Sequence, residues 1–247
     1  MNPSPLWYRM RGITILLIIF LSFRLAYGIS MVMHQSTQPT AWQLADNSYM
    51  RFHWIFAIGA LFAIAAFLMR SWGAAYLRSA IVWAHNASAA RLIVAGPFRY
   101  VRNPLYLGNL LALPWIALFI PPIGIPILLF GTFLFLVALA HHEGELLHQR
   151  FVDAYERYAL QVPALLPRIV PIAADPLAPR PDWREGLRSE LFMLSFAIVA
   201  VLFAVDPKLI ELRWIWVIPL LAYFLQRFFA TAPKQAIAES PPSDWEG

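Results

Sequence analysis

The chain has no cysteine and few charges, and both scarcities narrow what it can be. Without thiols, disulfides, thiolate nucleophiles and cysteine-ligated metals are excluded. Charged residues are 13% of the sequence, about half the share in an ordinary soluble domain. Hydrophobic residues fill 60% of it instead, in runs long enough to span a bilayer, which takes about 20 apolar residues. Internal repeats are also lacking. The net charge of +5 does not point to a nucleic-acid partner, because most arginines flank apolar runs, where they orient a membrane protein and meet anionic headgroups. Arg9 and Arg11 precede an apolar run over 13–33 that is too long for a signal peptide and ends in no small-residue cleavage site. It reads as a retained first helix.

The apolar pattern predicts an all-α, polytopic transmembrane bundle of about six spans: 13–33, 52–69, 105–120, 123–140, 190–205 and 214–229. Pro121-Pro122 joins the third and fourth, which must therefore be antiparallel neighbours. Two long polar stretches interrupt the series. The first, 70–103, carries Arg70, Arg78, Arg91, Arg99 and Arg102, interleaved with Trp72, Tyr76 and Trp83 as at a membrane interface. The second, 141–188, carries Arg150, Arg157, Arg168, Arg180, Arg184 and Arg188. With both termini on the arginine side, the outer segments hold only Arg51, Lys208 and Arg213 of the nineteen lysines and arginines. By the positive-inside rule both polar stretches and both termini face the cytoplasm, as expected of a bacterial inner-membrane protein. The division that follows is a first helix and outer loop (1–51), a core (52–172), a proline-rich connector (173–187), a transmembrane hairpin (188–232) and a disordered tail (233–247).

Two constellations carry candidate chemistry. The run Gly96-Pro97-Phe98-Arg99-Tyr100-Val101-Arg102-Asn103-Pro104-Leu105-Tyr106-Leu107-Gly108 enters the third span. Gly-Pro forces a turn, Pro104 suits the first helical turn, and Asn103 is placed to cap it. The helix start, with Arg99 and Arg102, favours an anionic group; Gly108 permits close approach. The same pattern also fits a basic, aromatic interfacial anchor. The second constellation is His141-His142-Glu143-Gly144-Glu145, with His148 beyond. Glu143 and Glu145 are two apart on a helix and point in different directions. His141, Glu145 and His148 share a face, which fits a metal site or solvated pairs equally well in kind; no metal is expected. Arg24, inside the first span, either holds a substrate headgroup, pairs with Glu143 or Glu145, or snorkels.

The first string, the Glu143 segment, and then Phe151, Tyr155, Tyr158, Val162-Pro163 and Pro167 resemble, in order and spacing, the isoprenylcysteine carboxyl methyltransferase and phospholipid methyltransferase superfamily. The resemblance covers roughly 52–168. It implies a membrane-embedded enzyme with a cytosol-facing pocket for S-adenosylmethionine, acting on a lipophilic or small methyl acceptor drawn from the bilayer. Carried over, Arg102, Asn103, Tyr106, Gly108 and Glu143 enclose the cofactor, joined by Arg99 and Glu145; Arg24 and Arg168 are the substrate-side candidates. Asn103 stands where the family has histidine, and Gly144 where it has a second glutamate. Gln161 replaces the arginine with which prenylcysteine enzymes handle a carboxylate, which argues against that substrate. Sterol-type reductases, which use a nicotinamide cofactor, carry a similar string, and a non-catalytic protein of the same fold is the third reading.

Overall fold

The computed structural model describes residues 6–45, 48–77, 92–173, 180–211 and 213–231. Arg78, Trp83, Arg91 and the expected tail lie outside them. The described regular structure is entirely helical: α1 (Leu6–Arg9), α2 (Arg11–Val32), α3 (Thr40–Ala45), α4 (Tyr49–Leu77), α5 (Pro104–Ala117), α6 (Ile125–Gln161), α7 (Trp183–Ser189), α8 (Leu191–Val205) and α9 (Val217–Thr231), with short 3-10 turns between.

Among the described residues, the six expected spans become three helices long and apolar enough to cross a membrane: Arg11–Val32, Tyr49–Leu77 and the Pro122–Gln161 stretch. There are four if α7 and α8, bent by 70°, count as one broken span. Helix α5 has 14 residues, about 21 Å of rise against a hydrocarbon core of about 30 Å. Pro114 lies inside it and Pro121-Pro122 follow closely. Its last carbonyls are met by the start of α3, where Thr40 N and Oγ1 donate to Ile120 O and Ala41 N to Leu118 O. A helix, Trp183–Ser189, begins inside the region expected to be a connector (173–187) and runs past its end, capped by Asp182 accepting from Glu185 N.

Helix α4 is the hub, packed by α5, α8, α7 and α3. Its small residues Ala60 and Ala63 sit buried beside Phe56, Trp115 and Phe203 in an aromatic core. Gly59 is required there: a Cβ would lie 2.7 Å from Leu118 Cδ1 and 2.9 Å from Trp115 Cε3. The sequence pattern ends the second span at Met69, before Arg70. The helix continues because Arg70 is neutralised where it stands. Its Nε and Nη2 donate to Glu190 Oε2 and Oε1 at 2.6 and 2.9 Å. Its Nη1 donates to Asn109 Oδ1 at 2.8 Å and to Leu105 O at 3.2 Å. One guanidinium thus ties α4, α5 and the start of α8 together.

Helix α6 runs past the apolar segment and then reverses direction. Val152, at φ 25° and ψ −102°, breaks it. In a straight helix Tyr155 would lie about 16 Å beyond Gly144. Instead the Tyr155 hydroxyl lies 2.6 Å from where a Gly144 Cβ would be, and His148 meets Glu156 at 3.7 Å.

Candidate functional site

The chain after the reversal lies along the Arg99–Asn103 segment. Arg102 N donates to Pro163 O, Asn103 N to Ala164 O, Arg168 N to Tyr100 O and Ile172 N to Arg99 O. Tyr158 seals the pairing with a buried 2.7 Å bond from its hydroxyl to Phe98 O. The turn before it depends on Gly96, at φ +54°, over which the Tyr76 ring packs with no room for a side chain. Two polar stretches about 60 residues apart in sequence are thereby joined at one end of the bundle, beside the start of α5.

At this end Glu143 is the focus. Tyr106, in the first turn of α5, donates to its Oε1 at 2.6 Å, and Tyr8 of α1 donates to the same oxygen at 2.9 Å. Tyr8 is 1% exposed. Burial, and then the Glu143 carboxylate, push its phenol above its ordinary pKa, so it remains a donor at neutral pH. Glu143 Oε2 accepts nothing among the described residues. Next to Glu143, Gly144 makes room for the Tyr155 hydroxyl, which accepts from Arg102 Nη1 at 2.9 Å. A glutamate at position 144 would not fit, because the Tyr155 hydroxyl occupies its place. Among the described residues, Arg102 Nε and His142 Nε2 are buried with no hydrogen-bond partner, and such groups in a folded protein ordinarily meet a ligand, an ion or water. His142 is flanked by the rings of Trp7 and Tyr8, with centroids at 5.2 and 4.9 Å.

Arg102, Tyr106 and Glu143 therefore converge, while the other candidates stand elsewhere. Asn103 does not cap α5; its side-chain amide donates across to Ala164 O at 3.0 Å, reinforcing the paired segment. Arg99 is engaged through Nε with Ile172 O. Gly108 faces α4, where its missing side chain lets the Arg70 stem pass. Glu145 is 57% exposed and pairs with His141 at 3.2 Å, away from Glu143. Arg168 lays its guanidinium on the Gln161 carbonyl at 2.7 Å, the position where the resemblance lacks an arginine. Arg24 lies thirteen residues along α2 from Arg11, about 20 Å up the helix from the Tyr8 end. It pairs with neither Glu143 nor Glu145. No group of three or more metal-ligating side chains occurs among the described residues.

Sequence reasoning missed Tyr8 and Glu190. Tyr8 precedes the first span and has no patterned neighbour; its only signal was a buried-type aromatic among basic residues. Glu190 was an acid at the edge of an apolar run, a costly place unless paired. A cleft of about 240 Å³ opens close by, lined by Met69, Trp72, Pro97, Tyr100, Val101 and Pro167. It is apolar, and neither Glu143 nor Arg102 lines it. Comparison with models of protein families, with curated proteins and with solved structures returned no match.

Proposed function

We propose that the chain is an integral-membrane, S-adenosylmethionine-dependent methyltransferase acting on a lipophilic or small membrane-accessible acceptor. We place it in a bacterial inner membrane with both termini cytoplasmic. The observation that carries the reading is Glu143, with one oxygen fixed by Tyr8 and Tyr106 and the other accepting nothing among the described residues. The order of the sequence motifs supports it, as does the pairing of 99–103 with 163–172.

The residues fit the cofactor's polar end, which presents an ammonium and a carboxylate. Glu143 Oε2 suits the first, and Arg102, whose Nε is buried without a partner, suits the second. When bound, the cofactor supplies an electrophilic methyl group on a sulfonium sulfur. The protein's part is to hold and align: two phenols fix the carboxylate, Tyr155 fixes Arg102, and the paired segment holds both in register. Alignment of this kind supplies a large share of the rate in transfer reactions. Arg168 is the cation available to an acceptor near Gln161. Arg24 is too remote to serve there.

The test is thermal unfolding of the detergent-solubilised protein with S-adenosylhomocysteine or NADPH, since only a ligand of the native state stabilises it. S-adenosylhomocysteine is expected to raise the midpoint of the wild type and not of Glu143→Gln, which keeps the phenol bonds but loses the charge. Stabilisation by NADPH alone overturns the proposal, and no shift with either ligand favours a non-catalytic protein. Mass spectrometry of lipid extracts after overexpression then seeks the acceptor as a species heavier by one methylene unit.

A further inference from the structure

We propose that Arg24 binds the phosphate of a phospholipid in the leaflet remote from the Glu143 cluster, with the groove beside it receiving that lipid. Arg24 is the only charge in α2 after Arg11. The buried residues of the helix are Ser22, Ala26 and Ser30; at about 100° per residue they centre on the side opposite Arg24. Around Arg24, the residues Leu17, Phe20, Leu21 and Met31 are all exposed. Arg24 is exposed too, and it makes no hydrogen bond or ion pair with the described residues. A cation inside a span normally faces a partner or a wet cavity. Here it faces outward, so its counter-charge lies outside the chain.

Depth and shape select the occupant. Arg24 is eight residues short of Val32, about 12 Å from that end of the helix. Snorkelling along its stem covers part of that distance. A groove of about 290 Å³, lined by Arg24, Leu25, Gly28, Ile29 and Val32, covers the rest. Gly28 keeps it open: a Cβ there would meet nothing within 4 Å. The guanidinium fork matches phosphate oxygens in pairs. A partner helix bearing a carboxylate would supply the charge as well, but membrane helices approach through small residues. Ser22 and Ala26 of α2 are already used inside the chain, packed on Gly124, which leaves Gly28 as the one small residue beside Arg24. The Arg24 side presents large apolar groups suited to acyl chains.

The experiment is native mass spectrometry of the full chain in mild detergent, with dioleoylphosphatidylglycerol or dioleoylglycerol added. The phosphatidylglycerol occupancy of Arg24→Leu is expected to fall about fivefold below wild type, the effect of one cation near a lipid phosphate. Arg24→Lys should retain most of it. Gly28→Leu fills the groove while keeping the cation and leaving the other end of the bundle unchanged, and should lower occupancy as Arg24→Leu does. Dioleoylglycerol, which has no phosphate, should not distinguish Arg24→Leu from wild type. Wild-type phosphatidylglycerol occupancy in both Arg24→Leu and Gly28→Leu overturns the proposal. So does an Arg24-dependent protein complex with lipid occupancy unchanged, which would assign the cation to a partner helix.

Discussion

Glu190 offers the sharpest test of the packing. Its side chain is 1% exposed and that of Arg70 13% exposed, with two contacts between them at 2.6 and 2.9 Å. Replacing Glu190 with leucine leaves a guanidinium that cannot shed its charge. Breaking a buried pair from one side typically costs about 3–5 kcal/mol, and Glu190→Leu is expected to fall in that range. Replacing both partners, as Arg70→Met with Glu190→Leu, removes the stranded charge. It does not restore wild type, because Asn109 Oδ1 loses its 2.8 Å donor, and an unsatisfied buried acceptor costs about 1–3 kcal/mol. The double variant should therefore lie between the wild type and Glu190→Leu. The fluorescence of ten tryptophans reports unfolding in detergent by denaturant titration, and the absence of cysteine keeps redox artefacts out. A Glu190→Leu protein within about 1 kcal/mol of wild type, or a double variant less stable than that single one, refutes the reasoning.

Three further outcomes follow from the site. Tyr8→Phe removes a hydrogen bond to a carboxylate, worth about 1.5–3 kcal/mol; an unchanged unfolding midpoint would show that α1 does not close on Glu143. Gly144→Ala brings a methyl to 2.6 Å from the Tyr155 hydroxyl and should cost about 1–3 kcal/mol by overpacking. In a Tyr155→Phe background, which has already lost the Arg102 bond, Gly144→Ala should cost much less, since the next nearest atom is 3.6 Å away; an equal cost in both backgrounds would place the strain elsewhere. Val152 holds a left-handed φ that is unfavourable for a β-branched residue. It is 52% exposed, so Val152→Gly should relieve about 1–3 kcal/mol of backbone strain against about 1 kcal/mol of glycine entropy. Unfolding titration should show the variant at least as stable as wild type, and a clear loss would contradict the strain.

Sequence by itself pointed to long apolar helices, and three of the described helices are long and apolar enough to cross a membrane; apolar runs and scarce charge are read directly from composition. It also singled out Arg102, Tyr106 and Glu143, whose residue types sit in ordered strings. The number of full-length spans was not legible. Helix α5 ends at Ala117 after 14 residues, a length that hydropathy does not register, and Arg70 fails to end α4 because Glu190, 120 residues away, neutralises it. Periodicity extends a helix through Val152, since the reversal there is enforced by partners on both sides of it: Tyr155 over Gly144 and Tyr158 on Phe98. Tyr8 joined the site only through tertiary contact, as did the separation of Glu145 from Glu143. A side chain's neighbours along the chain determine which way it points from its helix. What it meets there depends on which other helix is packed against that face.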